Sequence, residues 1–174
     1  MTRYNIRKSI KFALTKDTEY GCFYNAYLEG AFNEVEAIQS GYSFDEFAIS
    51  FSSYLQKNNF ISVTFFANNK IIGTGQFWPR ERILQIGDLT WFSNATSRQI
   101  FESCINFYDS IRKTIHIPSG KNYKILEFAH ERDEKFFDRL AAASILERVG
   151  EIDGIYPDSK SIFYVSKEVS CPHH

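Results

Sequence analysis

Lys124-Ile-Leu-Glu-Phe128, Asp133-Glu-Lys-Phe-Phe-Asp-Arg-Leu140, Ser144-Ile-Leu-Glu-Arg-Val-Gly-Glu-Ile152 and Ser161-Ile-Phe-Tyr-Val-Ser-Lys167 are the runs that decide the fold of this 174-residue chain. The first is a short apolar run with strand composition. The second spaces Phe136, Phe137 and Leu140 as a helix does, with Asp133 and Glu134 in its first turn, where the helix dipole favours negative charge. The third and fourth are strand-like and flank a turn at Pro157-Asp158. Tyr123 to Lys167 therefore reads strand, helix, strand, hairpin, strand.

Working outward, Thr96 to Lys113 is a long helix with Ile100, Phe101, Cys104, Ile105, Phe107, Tyr108 and Ile111 inward, and Ile117-Pro-Ser-Gly120 closes it. Ile61-Ser-Val-Thr-Phe-Phe66 and Lys70-Ile-Ile-Gly-Thr-Gly-Gln-Phe77 flank Asn68-Asn69, whose side-chain type tolerates the positive φ of a tight hairpin. Ile83 to Phe92 is a further antiparallel strand, with a bulge expected at Gly87. Gly73-Thr-Gly75 lies inside a strand, so a bulge or a close backbone approach explains it better than a phosphate loop. Upstream, Ile6 to Leu14 alternates as a first strand. Asp17 or Thr18 is expected to cap a helix over Glu19 to Phe32, and Phe44 to Leu55 reads as a second amphipathic helix. The prediction is an α+β single domain over residues 1–174, with a mixed, mostly antiparallel sheet flanked by about four helices and 171–174 as a tail.

Composition bounds the function. The chain is 44% hydrophobic and 17% aromatic, with 17 Phe and 10 Tyr, which suits a Phe-rich core; an aromatic surface for partners is the alternative. Twenty basic and 21 acidic residues balance to a net charge of −1, so no sequence-independent grip on nucleic acid is expected. The local basic excess of Arg3, Arg7, Lys8 and Lys11 reads as a solvated edge, with an arm for an acidic partner as the alternative. No apolar run reaches the length of a bilayer span, and no signal-peptide core is seen, so an intracellular protein is expected. Cys22, Cys104 and Cys171 are odd in number and read as reduced thiols. Cys104 lies mid-helix on the apolar side and reads as core. The tail Cys171-Pro-His-His174 is too short in ligands to imply a metal. There is no Walker loop, no dinucleotide fingerprint and no Ser-His-Asp order.

The order of elements, above all from residue 60 to residue 168, resembles the GNAT family of N-acetyltransferases. The resemblance implies transfer of an acyl group from coenzyme A to an amine. It also implies a loop of pattern Gln/Arg-x-x-Gly-x-Gly/Ala after the fourth strand, whose bare amides cradle the cofactor pyrophosphate. Here that place reads Ser93-Asn-Ala-Thr-Ser-Arg98, without glycine. Asn94, Thr96, Ser97 and Arg98 are the candidate cofactor-binding residues, and helix capping alone is the simpler account of them. The family's second helix pattern, Asn-x-x-Ala-x-x-x-Tyr before Gly-Phe, falls on His130, Asp133 and Phe137, with Ala141-Ala142 replacing Gly-Phe. A phenyl ring cannot give a proton to a departing thiolate. The general base is sought among Asp88, Glu127 and His130, with His116 a further titratable group; for a histidine at a strand end, a hydrogen-bonded structural role is the commoner reading.

The second half is also similar to the internal head proteins of short-tailed phages. It shares Thr90-Trp-Phe92, the Phe-x-x-x-x-x-Phe-Tyr helix from Phe101 to Tyr108, and the Phe137 helix-to-strand junction. Three functions are therefore expected to compete. The first, favoured by the missing glycine loop, is a non-catalytic structural or interaction protein of a virion, with no cofactor and with protein partners. The second is a divergent acyltransferase using acetyl-coenzyme A or another acyl-coenzyme A. The third is a phage-encoded regulator of a host protein.

Overall fold

The structure is a computed structural model that describes residues 9–80, 83–114, 124–143, 145–156 and 159–166. Its elements run β1 (Ile10–Leu14), α1 (Tyr20–Leu28), α2 (Phe44–Asn58), β2 (Ile61–Ala67), β3 (Lys70–Arg80), β4 (Ile83–Trp91), α3 (Ser97–Thr114), β5 (Lys124–His130), α4 (Glu134–Ala142), β6 (Leu146–Tyr156) and β7 (Ser159–Ser166). The seven strands are ordered β1-β2-β3-β4-β5-β7-β6. Pairing is parallel at β4–β5 and antiparallel at β1–β2, β2–β3, β5–β7 and β6–β7, which makes the α+β fold with a mixed sheet. Contacts among the described residues gather into two compact units, one from residues 9–78 and 87–104 and the other from residues 79–86 and 105–166.

In the first unit, Asn68 and Asn69 take φ of 51° and 63°, so the β2–β3 hairpin turns as its sequence predicts. The observed bulge in this pair lies between Phe65 and Phe66. The pair Gly73 and Gly75 is a close approach: a Cβ at Gly73 would stand 2.6 Å from the Thr90 carbonyl oxygen and 2.7 Å from the Trp91 ring. Gly87 likewise runs close to the Phe60 ring, where a Cβ would stand 3.1 Å from it.

Both helices of this unit are held by rings. Phe23, Phe32, Phe47 and Phe51 are at most 1% exposed. Phe23 and Phe51 meet edge to face at 5.6 Å, Phe32 and Phe47 at 5.3 Å, and Phe92 reaches Phe23 at 5.7 Å. Edge-to-face contact sets the positive ring edge against the negative face. α2 starts at a capping box: Ser43 Oγ accepts from the Glu46 amide, and the Glu46 carboxylate accepts from the Ser43 amide at 2.8 Å. It stops at Asn59, which is left-handed with φ 53°.

Several boundaries differ from expectation. α1 ends at Leu28, four residues before Phe32, because the chain turns through Gly30 at φ 90°. Asp17 and Thr18 do not cap α1; they lie in a short 3-10 turn whose Glu19 carboxylate accepts from the Lys16 amide at 3.0 Å. Thr96 caps α3 from outside it. Within the amphipathic run Phe44 to Leu55, Ile49 stands outward at 67% exposed. The turn at Pro157-Asp158, the closure at Ile117 to Gly120, His116, Cys171 and the tail lie outside the described residues.

In the second unit, β5 runs beside the first residues of β4, Leu84 opposite Ile125. β7 pairs β5 on one side and β6 on the other. Phe137 and Leu140 of α4 are buried, and Phe137 stacks on Tyr164 of β7 at 5.4 Å. Gly73→Ala is expected to cost about 1–3 kcal/mol of overpacking. Gly150→Ala, where a Cβ meets nothing within 4 Å, should stay within about 0.5 kcal/mol of the parent in urea unfolding.

Candidate functional site

Along β4 the residues alternate in burial, with Leu84, Ile86 and Thr90 buried. Asp88 shares their phase, so a carboxylate stands where the strand's pattern calls for an inward side chain. The residue as a whole keeps an open surface, and its Oδ2 receives the hydroxyl of Tyr54 from α2. Burial of the carboxyl pushes Asp88 above the ordinary carboxylate range. The Tyr54 donor opposes that rise by favouring the charged form, and the nearby Glu34 adds to it by repulsion. Tyr54 is pushed up strongly by its own burial and by the Asp88 charge, so it stays a neutral donor.

The connection from β4 to α3 lies in the same unit. Ser93 donates to the Glu29 carboxylate, and Asn94 Nδ2 donates to the Ile71 carbonyl at 3.0 Å. Thr96 and Gln99 form a reciprocal cap: the Gln99 amide donates to Thr96 Oγ1 at 3.2 Å, and the Thr96 amide donates to Gln99 Oε1 at 2.9 Å. Arg98 Nε donates to Glu102 Oε1 at 2.8 Å, one helical turn on. These bonds leave the amides of Ser97 and Arg98, the first two of α3, without a partner among the described residues. An anionic group can be met there by two amides and by the outward part of the Arg98 guanidinium.

The other candidates belong to the second unit. Glu127 on β5 is 5% exposed, and its Oε2 accepts from the fully buried Tyr108 hydroxyl of α3 at 2.6 Å. A carboxylate so enclosed is held by its donor. His130 ends β5 and caps the turn before α4, its Nδ1 accepting from the Arg132 amide at 3.1 Å. Acceptance at Nδ1 assigns the ring proton to Nε2, which then donates to Ser159 Oγ at 3.0 Å. Phe137 offers only its stacked ring. The hydroxyl beneath it, Tyr164, donates to Asp138 at 2.9 Å and is pushed up by burial and by that carboxylate. Cys104 is fully buried, in keeping with a core role, and Cys22 and Cys104 are free thiols. Among the described residues no cluster of His, Cys, Asp and Glu could hold a metal, and no helix is long and apolar enough to cross a membrane.

Asp88, Asn94, Thr96, Ser97 and Arg98 thus share one unit, and Glu127 and His130 share the other. Sequence reasoning missed Tyr54, Tyr108 and Glu29. Tyr54 and Tyr108 were legible as inward residues of amphipathic helices, but nothing local tells which carboxylate a tyrosine will meet.

No protein-family model and no curated protein matches the sequence. Solved structures do. An aminoglycoside N-acetyltransferase is 12% identical with a TM-score of 0.66, over 91% of this chain and 96% of that one. A mutant spermidine N-acetyltransferase from Vibrio cholerae is 11% identical with a TM-score of 0.63, over 91% and 94%. The yncA protein of Salmonella typhimurium, solved with its cofactor acetyl-CoA, is 10% identical with a TM-score of 0.59, over 95% and 99%. The fold is the GNAT acetyltransferase fold. On this GNAT frame, Tyr108→Phe removes a buried donor from Glu127 and should cost about 1–3 kcal/mol in chemical denaturation, with the secondary structure unchanged by circular dichroism.

Proposed function

We propose that this chain is a GNAT-type N-acyltransferase that moves an acyl group from an acyl-coenzyme A to an amine, with Asp88 accepting the proton of the amine. The observation that carries the reading is the Asp88 carboxyl on β4, in phase with the buried residues of the strand and bonded by the Tyr54 hydroxyl, a setting that favours a raised proton affinity. An amine must lose a proton to attack, and a base with raised affinity for protons is better matched to that task near neutral pH. Structures that share the fold include N-acetyltransferases of spermidine and of an aminoglycoside, both of which are amines. A bound acyl-coenzyme A would supply the electrophilic thioester carbon, and its sulfur would leave as the thiolate and take its proton from solvent. The Ser97 and Arg98 amides and the Arg98 guanidinium would meet its phosphates, while Asn94 and Thr96 hold the shape of that helix end.

A second reading has its own support. The Ser93–Arg98 connection lacks glycine, its side chains bond inward, and Phe137 has no proton to give. These features suit a non-catalytic interaction protein, such as a virion component with a protein partner.

Release of free thiol from acetyl-coenzyme A in the presence of spermidine or an aminoglycoside tests the choice. The acyltransferase reading expects amine-dependent release with an acid limb above the ordinary carboxylate range, because Asp88 accepts a proton only once ionised. Below that limb Asp88 is protonated and the rate falls. Asp88→Asn should lower kcat by about 10²–10⁴-fold with folding intact. No release with any amine from folded protein, or an undiminished Asp88→Asn variant, sinks this reading and leaves the second.

A further inference from the structure

We infer that Tyr54 is the positioning residue of Asp88: α2 carries its hydroxyl to Oδ2, and a wedge of rings fixes the direction from which that hydroxyl donates. The inference rests on the proposed role of Asp88 as proton acceptor. The wedge is built in three contacts. Tyr54 lies against Phe60 with ring centroids 5.2 Å apart, and Phe60 meets Trp78 edge to face at 4.7 Å. Phe60 also fills the space beside Gly87, where a Cβ would stand 3.1 Å from its ring, and Gly87 immediately precedes Asp88. The strand that presents the carboxylate and the ring that braces its donor are therefore in mutual contact. Asn58 adds a clamp on the helix, its Nδ2 donating to the Tyr54 carbonyl at 2.8 Å.

Among the described residues, the Tyr54 hydroxyl of α2 bonds Asp88, and the charge of Glu34, from the segment joining α1 to α2, acts on it. They act in opposite directions. The tyrosine hydroxyl favours the ionised carboxylate, and the Glu34 charge disfavours it. On top of the rise that burial imposes, the proton affinity of Asp88 is thus trimmed by one donor and increased by one like charge, both from the stretch that runs from α1 through α2.

Carboxyl-carbon NMR titration of Asp88 in the full chain reads this directly and needs no substrate. Tyr54→Phe keeps the ring and removes only the donor, so the Asp88 midpoint should move to higher pH. Glu34→Gln should move it to lower pH. The acid limb of the rate profile should follow the same two directions. An Asp88 midpoint unmoved by Tyr54→Phe in a folded variant overturns the inference. Moved midpoints in a protein that transfers no acetyl group would retain Tyr54 as the residue that positions Asp88, and remove the acyltransferase reading alone.

Discussion

The packing of α2 through Phe47 and Phe51 onto Phe23, Phe32 and Phe92 is the constraint on which the rest of the first unit depends. Each of these rings buries a large apolar surface, and removing one from such a cluster typically costs about 3–5 kcal/mol. That cluster fixes the helix in position and rotation. Tyr54 lies seven residues beyond Phe47 on the same helix, two full turns on, and so points where Phe47 points. The aromatic excess in the composition is therefore in large part core, and the tyrosine that meets Asp88 is held by it.

Polar groups in this molecule are mostly answered from within. Ser62, Thr64, Thr74 and Gln76 are buried on β2 and β3, and they bond one another, Thr15 and the Glu19 carboxylate. Glu127 is answered by Tyr108, and His130 by the Arg132 amide and Ser159. Satisfied groups of this kind specify a structure because losing either partner strands the other in low dielectric. Asp88 differs in that its surroundings disagree: burial and Glu34 press toward the neutral form while Tyr54 holds the charge.

What the sequence revealed and what it hid divides by range. The Asn68-Asn69 turn, the apolar stripe of α3 with Cys104 inside it, and the α4 acidic first turn were readable because each depends on neighbours in the chain. The end of α1 was misjudged because the apolar spacing continues through Phe32, while Gly30 turns the backbone before it. Asp88 was legible as a candidate, but not its partner, since Tyr54 is remote in sequence. From sequence alone the missing glycine in Ser93–Arg98 weighs most and favours a non-catalytic virion protein. The solved neighbours show the GNAT fold, and none bears on the phage resemblance.

Thermal unfolding of the purified chain and of Arg98→Ala, each titrated with coenzyme A, tests the account most directly. A real site filled at about 100 times its dissociation constant adds about 2.7 kcal/mol, which is a shift of about 5 °C or more for a chain of this size. The account predicts a saturable shift for the parent and a weaker one for Arg98→Ala. An unfolding temperature that stays fixed up to millimolar coenzyme A would contradict it.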